Sequence, residues 1–411
     1  MNQTTAPKTY FDWMDTLRGF GIVLVVFGHQ KPGPDVTNFL QAVMLAVFIF
    51  ASGFLFSGSK YPDTKVYLKK RARLLLIPYL WFTLLSFLFW IFYVGGMKLL
   101  VDGALGSEML AGVDETTALG ALSDAAGRAK PGIGVVLAVF ILPMIYGSAS
   151  FLWFNIPLWF FPGLFVIDAL FYWLHKRCRT DLTLLAVLIA LSMVGFGMGR
   201  VSMHLPWNVD TAFSIVVYYG LGYLFRKRYG EGWPLPLWAK GLVAAVLLAV
   251  GMFVIVYNPG THPSFNQQGN YWLYHLGAMT TILSFMLIAQ LMVKLKRPAD
   301  VPPPRTALGR AVSKSLGAIP RVFDYVGNNA VVYIGAQVMT MGVFMTFNRF
   351  AFGILAKEKL PSTPWALYYG VGAIILLVPL AYVTDRWAPF ILGRKRKKPP
   401  PAPPTSACRN A

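Results

Sequence analysis

Apolar stretches long enough to cross a hydrocarbon core recur from one end of this chain to the other. Hydropathy alone gives about eleven candidate segments. The charge of the connections reduces them to ten. Lys and Arg cluster at 60–73, 176–179, 226–240 and 294–321 and in the tail from Arg394, whereas 201–209 and 258–271 contain no Lys or Arg. Spans at 12–30, 38–57, 74–95, 155–174, 182–199, 210–225, 238–257, 272–293, 322–347 and 364–386 put every basic cluster, and both termini, on the cytoplasmic side. The predicted fold class is therefore all-α, a polytopic membrane bundle of about ten transmembrane helices.

An eleventh candidate, 133–147, breaks this alternation. It reads as a re-entrant or peripheral helix within one large external excursion, 96–154. The stretch 298–320, with Pro302, Pro303 and Pro304, reads as a cytoplasmic linker. The expected organisation is a membrane domain over 10–393 and a basic, Pro-rich, disordered tail over 394–411.

Composition agrees: 411 residues, 56% hydrophobic, 13% charged, mean hydropathy +0.55. The net charge of +20 would suit nucleic acid, but its confinement to alternate loops is the positive-inside pattern, so no nucleic acid is expected. Asp12 and Asp15 precede the first apolar run, which argues against a secretory signal peptide. Cys178 and Cys408 lie in basic sequence and suggest no disulfide framework. His175, His204, His262 and His275 lack metal-ligand spacing, so no metal is expected.

Candidate chemistry starts in the first span. Arg18 and His29 are separated only by apolar residues and glycine. Eleven residues turn a helix by about 1100°, so the two share a face roughly 16 Å apart along the axis. That distance cannot span a core about 30 Å thick, so at least one of them lies within the membrane or at its edge. Asp15 lies three residues before Arg18, a spacing that lets them pair. The three form a polar stripe. It reads either as a capping and topology device or as a site in which His29 acts as general base.

At the third span, Lys69-Lys70-Arg71-Ala-Arg73 precedes Pro78-Tyr79. Positive-inside anchoring accounts for it; so does an anion site, because guanidinium forks suit phosphate. Ser52-Gly53 ends the second span with small residues that permit close helix packing or ligand approach. Trp159 fits an aromatic belt, and Asp210 fits an N-terminal cap of the sixth span.

The order Asp15-x-x-Arg18-Gly … His29, Phe50-Ala-Ser52-Gly53-Phe-Leu, Lys70-Arg71-x-Arg73 … Pro78-Tyr79, Leu158-Trp159-Phe160 resembles the membrane-bound acyltransferase-3 family. Leu205-Pro-Trp-Asn208-Val-Asp210 and Gly269-Asn270-Tyr-Trp resemble its fucose-4-O-acetylase-like branch. The resemblance covers roughly residues 10–393, and its motifs are specific through their order and spacing.

The resemblance implies an O-acyltransferase of the bacterial inner membrane. It would move an acetyl group from acetyl-CoA to a sugar hydroxyl of an envelope or exported glycan. His29 would be the essential histidine, supported by Asp15 and Arg18. Lys70, Arg71, Arg73, Tyr79 and Ser52 would bind the donor; Trp159, Asn208, Asp210, Asn270 and Gln337 would meet the acceptor. Two departures stand out. The family's paired arginines three apart become Lys70 and Arg73, with Arg71 an extra candidate. Many relatives carry a histidine where this chain has Gln337. The expected partners are a glycan or lipid-linked sugar, the bilayer and, as a further candidate, a second copy in a homodimer. Succinyl transfer, direct transfer against an acyl-histidine, a transporter or flippase, and a non-catalytic assembly partner all stay open at this point.

Overall fold

The computed structural model describes residues 11–30, 32–90, 92, 141–230, 232–296, 306–352 and 363–394. Residues 96–140 of the expected excursion, residues 298–305 of the linker and the tail beyond Arg394 lie outside the described residues.

The described residues form eleven delimited α-helices, a further helical stretch over 141–146 at the end of the candidate 133–147, and no named strand. The eleven are α1 (Asp12–Gly28), α2 (Pro34–Phe54), α3 (Thr64–Phe89), α4 (Phe160–Arg177), α5 (Asp181–Arg200), α6 (Val209–Tyr229), α7 (Leu237–Val256), α8 (Tyr271–Val293), α9 (Ala307–Asn328), α10 (Ala330–Phe352) and α11 (Thr363–Trp387). Among the described residues eight helices are long and apolar enough to cross a membrane: α2, α3, α4 with its leading turn, α5, α7, α8, α10 and α11. The other two predicted spans fall on α1 and α6, which carry charged groups near their ends. The chain is a polytopic helical membrane protein.

Local chemistry sets the boundaries. Asp63 caps α3, its carboxylate accepting the Lys65 amide at 2.8 Å. The cap starts the helix ten residues before the predicted span, so Lys70, Arg71 and Arg73 stand on α3 and not in a loop. Thr306 caps α9 through the Gly309 amide at 3.0 Å. Residues 307–320, read from sequence as linker, are therefore helical. The predicted ninth span, 322–347, is in fact the end of α9 and most of α10, broken at Asn329. There the Asn329 side chain donates to the Tyr325 carbonyl at 2.9 Å, a local bond that competes with helix continuation.

α1 and α2 form the centre. α1 packs against α2, α8, α9, α10 and α11, and α2 against α1, α6, α7 and α8. From Leu40 to Ala51 every residue of α2 is buried. α3 packs against both α4 and α10 beside this pair, while α5 and α7 expose apolar faces such as Leu182, Val194, Leu242 and Phe253. Glycines allow the closest contacts. A side chain at Gly53 would collide with the Tyr219 carbonyl of α6, and one at Gly222 with the Phe50 carbonyl of α2. Gly19 of α1 and Gly327 of α9 face each other's backbones at Phe323 and Asp15 in the same way. Thr16 adds a 2.6 Å hydrogen bond to Asp324 across that second contact.

Gly53→Val should force α2 and α6 apart. An overpacked contact costs about 1–3 kcal/mol, so the unfolding midpoint in detergent should drop by several degrees. Gly33→Val, at a glycine with open space around it, should leave that midpoint unchanged.

Candidate active site

Two chambers open into the bundle, and α1 contributes to both. The first holds about 280 Å³ and is lined by Arg18 of α1, Ser52 of α2, Lys70 and Arg71 of α3, and Arg394. Phe48, Phe160, Tyr67 and Tyr219 complete much of its wall. This basic chamber gathers four cationic side chains, and no acidic residue lines it among the described residues.

The cations have different supports. Arg18 pairs with buried Asp15 at 3.3 Å, one turn away on α1. Arg394 pairs with Asp385 at 3.1 Å. Lys70 reaches the Tyr61 hydroxyl, its ammonium 4.7 Å from that ring's centre. Arg71 is held most firmly. Its Nε donates to Oδ2 of Asp168 at 2.6 Å, and a terminal nitrogen donates to the same oxygen. The Tyr219 hydroxyl donates to Oδ1 at 2.5 Å. Asp168, on α4, is wholly buried.

A narrow cavity of about 40 Å³ adjoins the basic chamber. Phe48, Phe160 and Ile334 belong to its wall and to that of the basic chamber. Trp159 lines it, and so does His29. Beyond His29 lies a second chamber of about 600 Å³. Gln41, Asn38, Thr261, His262 and Gln267 line it, with Gly28 and Phe265. His29 and Ser264 are common to neck and second chamber. His29 is the C-cap of α1, its amide donating to the Val25 carbonyl at 3.2 Å, so the last turn of the helix fixes it. Burial pushes the His262 imidazole below its ordinary value, which favours the neutral ring.

The structure brings together Arg18, His29, Ser52, Lys70, Arg71 and Trp159, with Asp15 behind Arg18. Other predicted residues stand elsewhere. Arg73 is exposed and lines neither chamber. Tyr79 is buried and donates to the Met144 carbonyl at 2.5 Å, tying down the chain before α4. Asn208 accepts from the Ala149 amide at 2.8 Å and donates to the Ser264 carbonyl at 2.9 Å. It thus positions the Ser264 turn without lining a chamber. Asp210 lies inside the first turn of α6 and not at its cap; it accepts the Leu205 amide at 3.1 Å. Asn270 caps α8, holding the Trp272 and Leu273 amides at 3.0 and 3.2 Å. Gln337 is 0% exposed on α10, and neither amide atom has a partner among the described residues.

Sequence reading missed Asp168, although a lone carboxylate in the apolar run Phe165-Val-Ile-Asp168-Ala-Leu was a usable signal. It also missed Tyr219, Gln41 and Arg394. No short-range pattern marks these three, and only the fold brings them to the chambers.

The apolar helical bundle thus carries a cationic chamber, a neck lined by His29 and a second, polar chamber. The family model for the acyltransferase-3 acyltransferase domain matches residues 11–384. The chain therefore belongs to that family and is an acyltransferase. Neither a curated relative nor a solved structure matches it significantly.

Removing one partner of a buried pair costs about 3–5 kcal/mol because the other charge is stranded. Asp168→Asn should therefore lower the unfolding midpoint sharply, and Tyr219→Phe by less. Replacing both partners, Arg71→Met with Asp168→Leu, should recover much of the loss. A midpoint for Asp168→Asn equal to the parent's would contradict the pairing.

Proposed function

We propose that this acyltransferase moves an acetyl group from acetyl-CoA to a sugar hydroxyl of a cell-envelope or exported glycan at the bacterial inner membrane. One observation carries the reading: His29 stands in the wall of both the neck that leads from the cationic chamber and the uncharged polar chamber beyond.

In this reading the two chambers divide the substrates. Arg71, Lys70, Arg18 and Arg394 suit the phosphates of a coenzyme A thioester, because guanidinium and ammonium groups make charge-assisted bonds to phosphate oxygens. The pantetheine arm extends past Phe48 and Phe160, and the thioester meets His29 at the neck. The acceptor enters from the second chamber. As its hydroxyl oxygen attacks the thioester carbonyl, the His29 imidazole takes the hydroxyl proton. The carbon–oxygen bond forms, the carbon–sulfur bond breaks, and the imidazolium returns the proton to the departing thiolate. Asp15 holds Arg18 in place, and Asp168 with Tyr219 holds Arg71.

The test is acyl transfer by the purified protein in proteoliposomes, with acetyl-CoA and succinyl-CoA compared as donors. General-base catalysis contributes about 10²–10⁴-fold, so His29→Ala should lose transfer by that factor while folding normally. Lys70→Ala, which strands no buried charge, should raise KM for the donor more than it lowers kcat. Sugar movement across the membrane without consumption of either acyl-CoA would instead establish the transporter reading.

A further inference from the structure

The two chambers differ in charge. Four cations line the first, whereas no Asp, Glu, Lys or Arg lines the second among the described residues. The second chamber nevertheless has strong hydrogen-bonding groups. Two of them are left over by the fold. Gln41 is buried on α2, and its Oε1 has no partner among the described residues. Nδ1 of His262 is likewise buried without one.

These two groups want hydroxyl donors. An amide oxygen can only accept, and a neutral imidazole nitrogen can accept when the proton sits on its other nitrogen. A buried acceptor left unsatisfied is costly, and a bound hydroxyl would recover that cost. His275 shows the contrast: its two ring nitrogens meet Tyr218 at 2.8 Å and Ser192 at 3.2 Å, so it is already used in packing. His262 is fixed differently. Its backbone pairs with Gln267, and its ring lies 4.6 Å from that of Phe265, which also lines the chamber. A flat apolar ring beside two hydrogen-bond acceptors matches a pyranose, which has both an apolar C–H face and projecting hydroxyls.

We infer that the second chamber selects an uncharged polyhydroxylated acceptor, and that Gln41 and His262 are the side chains that hold its hydroxyls. The assignment rests on the two-chamber reading above, with His29 as the group that faces the reacting hydroxyl. It goes further by excluding uronate, phosphate-bearing and ammonium-bearing sugars at the position next to His29. A carboxylate or ammonium there would lose its hydration with no counter-charge to replace it. Gln41 and His262 are thus acceptor-specificity residues, and donor handling belongs to the other chamber.

Saturation-transfer NMR on the full chain in lipid nanodiscs reads this directly, without turnover. The probes are methyl glucoside, methyl galactoside, methyl glucuronide and the methyl glycoside of glucosamine. Signal is expected for the two neutral glycosides and not for the charged ones. Gln41→Leu and His262→Phe should each weaken neutral binding roughly three- to tenfold, the size of one lost neutral hydrogen bond. His262→Asn, whose amide can occupy the Nδ1 position, should restore part of it. Lys70→Ala, which strands no buried charge, should leave the sugar signals unchanged while weakening that of acetyl-CoA. Equal or stronger signal from the charged probes, no signal from any probe, or indifference to both substitutions would overturn the inference. Sugar binding that passes all these checks in a protein that consumes no acyl-CoA would uphold it and defeat the acetyl-transfer reading alone.

Discussion

A carboxylate with no exposure to solvent, set among apolar helices, is the condition around which one side of this bundle is built. Removing such an ion from water costs several kcal/mol, and only close, well-oriented partners offset that cost. Asp168 has them on two other helices: the Arg71 guanidinium from α3 and the Tyr219 hydroxyl from α6. Those helices must approach α4 closely, and α6 must also stay against α2. Gly53 and Gly222 allow that second approach, because each faces backbone where a side chain would not fit. Charge pairing and glycine packing are thus two halves of one constraint. The result is an arginine whose head group is fixed at the chamber wall, so little rotamer entropy remains to be lost when an anion binds.

The same economy governs α1. Asp15 and Arg18 pair near its start, Gly19 and its neighbours clasp α9, and the helix ends at His29. Because the helix is rigid and central, the separation of Arg18 from His29 is set by its rise alone. A group bound at Arg18 therefore lies some three turns from the histidine, a distance on the order of 16 Å. A long flexible arm attached to a phosphorylated head meets that requirement; a small acyl phosphate does not. On the proposed reading, the geometry of one helix thus suits a long thioester donor better than a small acyl phosphate.

Much of this was legible in the sequence. Period and charge gave the helical bundle, with eight of the ten predicted spans on helices long and apolar enough to cross a membrane among the described residues, and spacing singled out Arg18 and His29. Their division between two chambers, however, was not readable. It depends on Phe48, Phe160 and Ile334, which come from three different helices and look like ordinary core residues in sequence. Boundaries failed where side chains near helix ends overrode hydropathy: Asp63 extended α3 toward its start, Thr306 began α9 inside an expected linker, and Asn329 split an expected span. Asn208, Asp210 and Asn270 stand outside the lining of both chambers for a related reason. Asn and Asp in such motifs serve the backbone as readily as a ligand, and these three hold amides or carbonyls of nearby turns. Asp168 was the one avoidable omission, since a single acid in an apolar span always needs an explanation.

Gln337 bears on which residue moves the proton. The family resemblance implies a histidine there, and a chain lacking it could have lost its chemistry. The position itself argues otherwise. Gln337 is fully buried, both amide atoms lack partners among the described residues, and it lines neither chamber. Ile334, one turn earlier on α10, forms the wall of the neck. A group at 337 therefore stands behind the neck and not in it. An amide at that position can polarise or orient what surrounds it, but it cannot take a proton. On the proposed reading the transfer needs one imidazole where donor and acceptor meet, and His29 alone occupies the wall common to the neck and the second chamber with a side chain that can supply it; the other residue common to both, Ser264, has no basic group. Loss of the second histidine then changes the surroundings of the reaction and leaves its proton path in place.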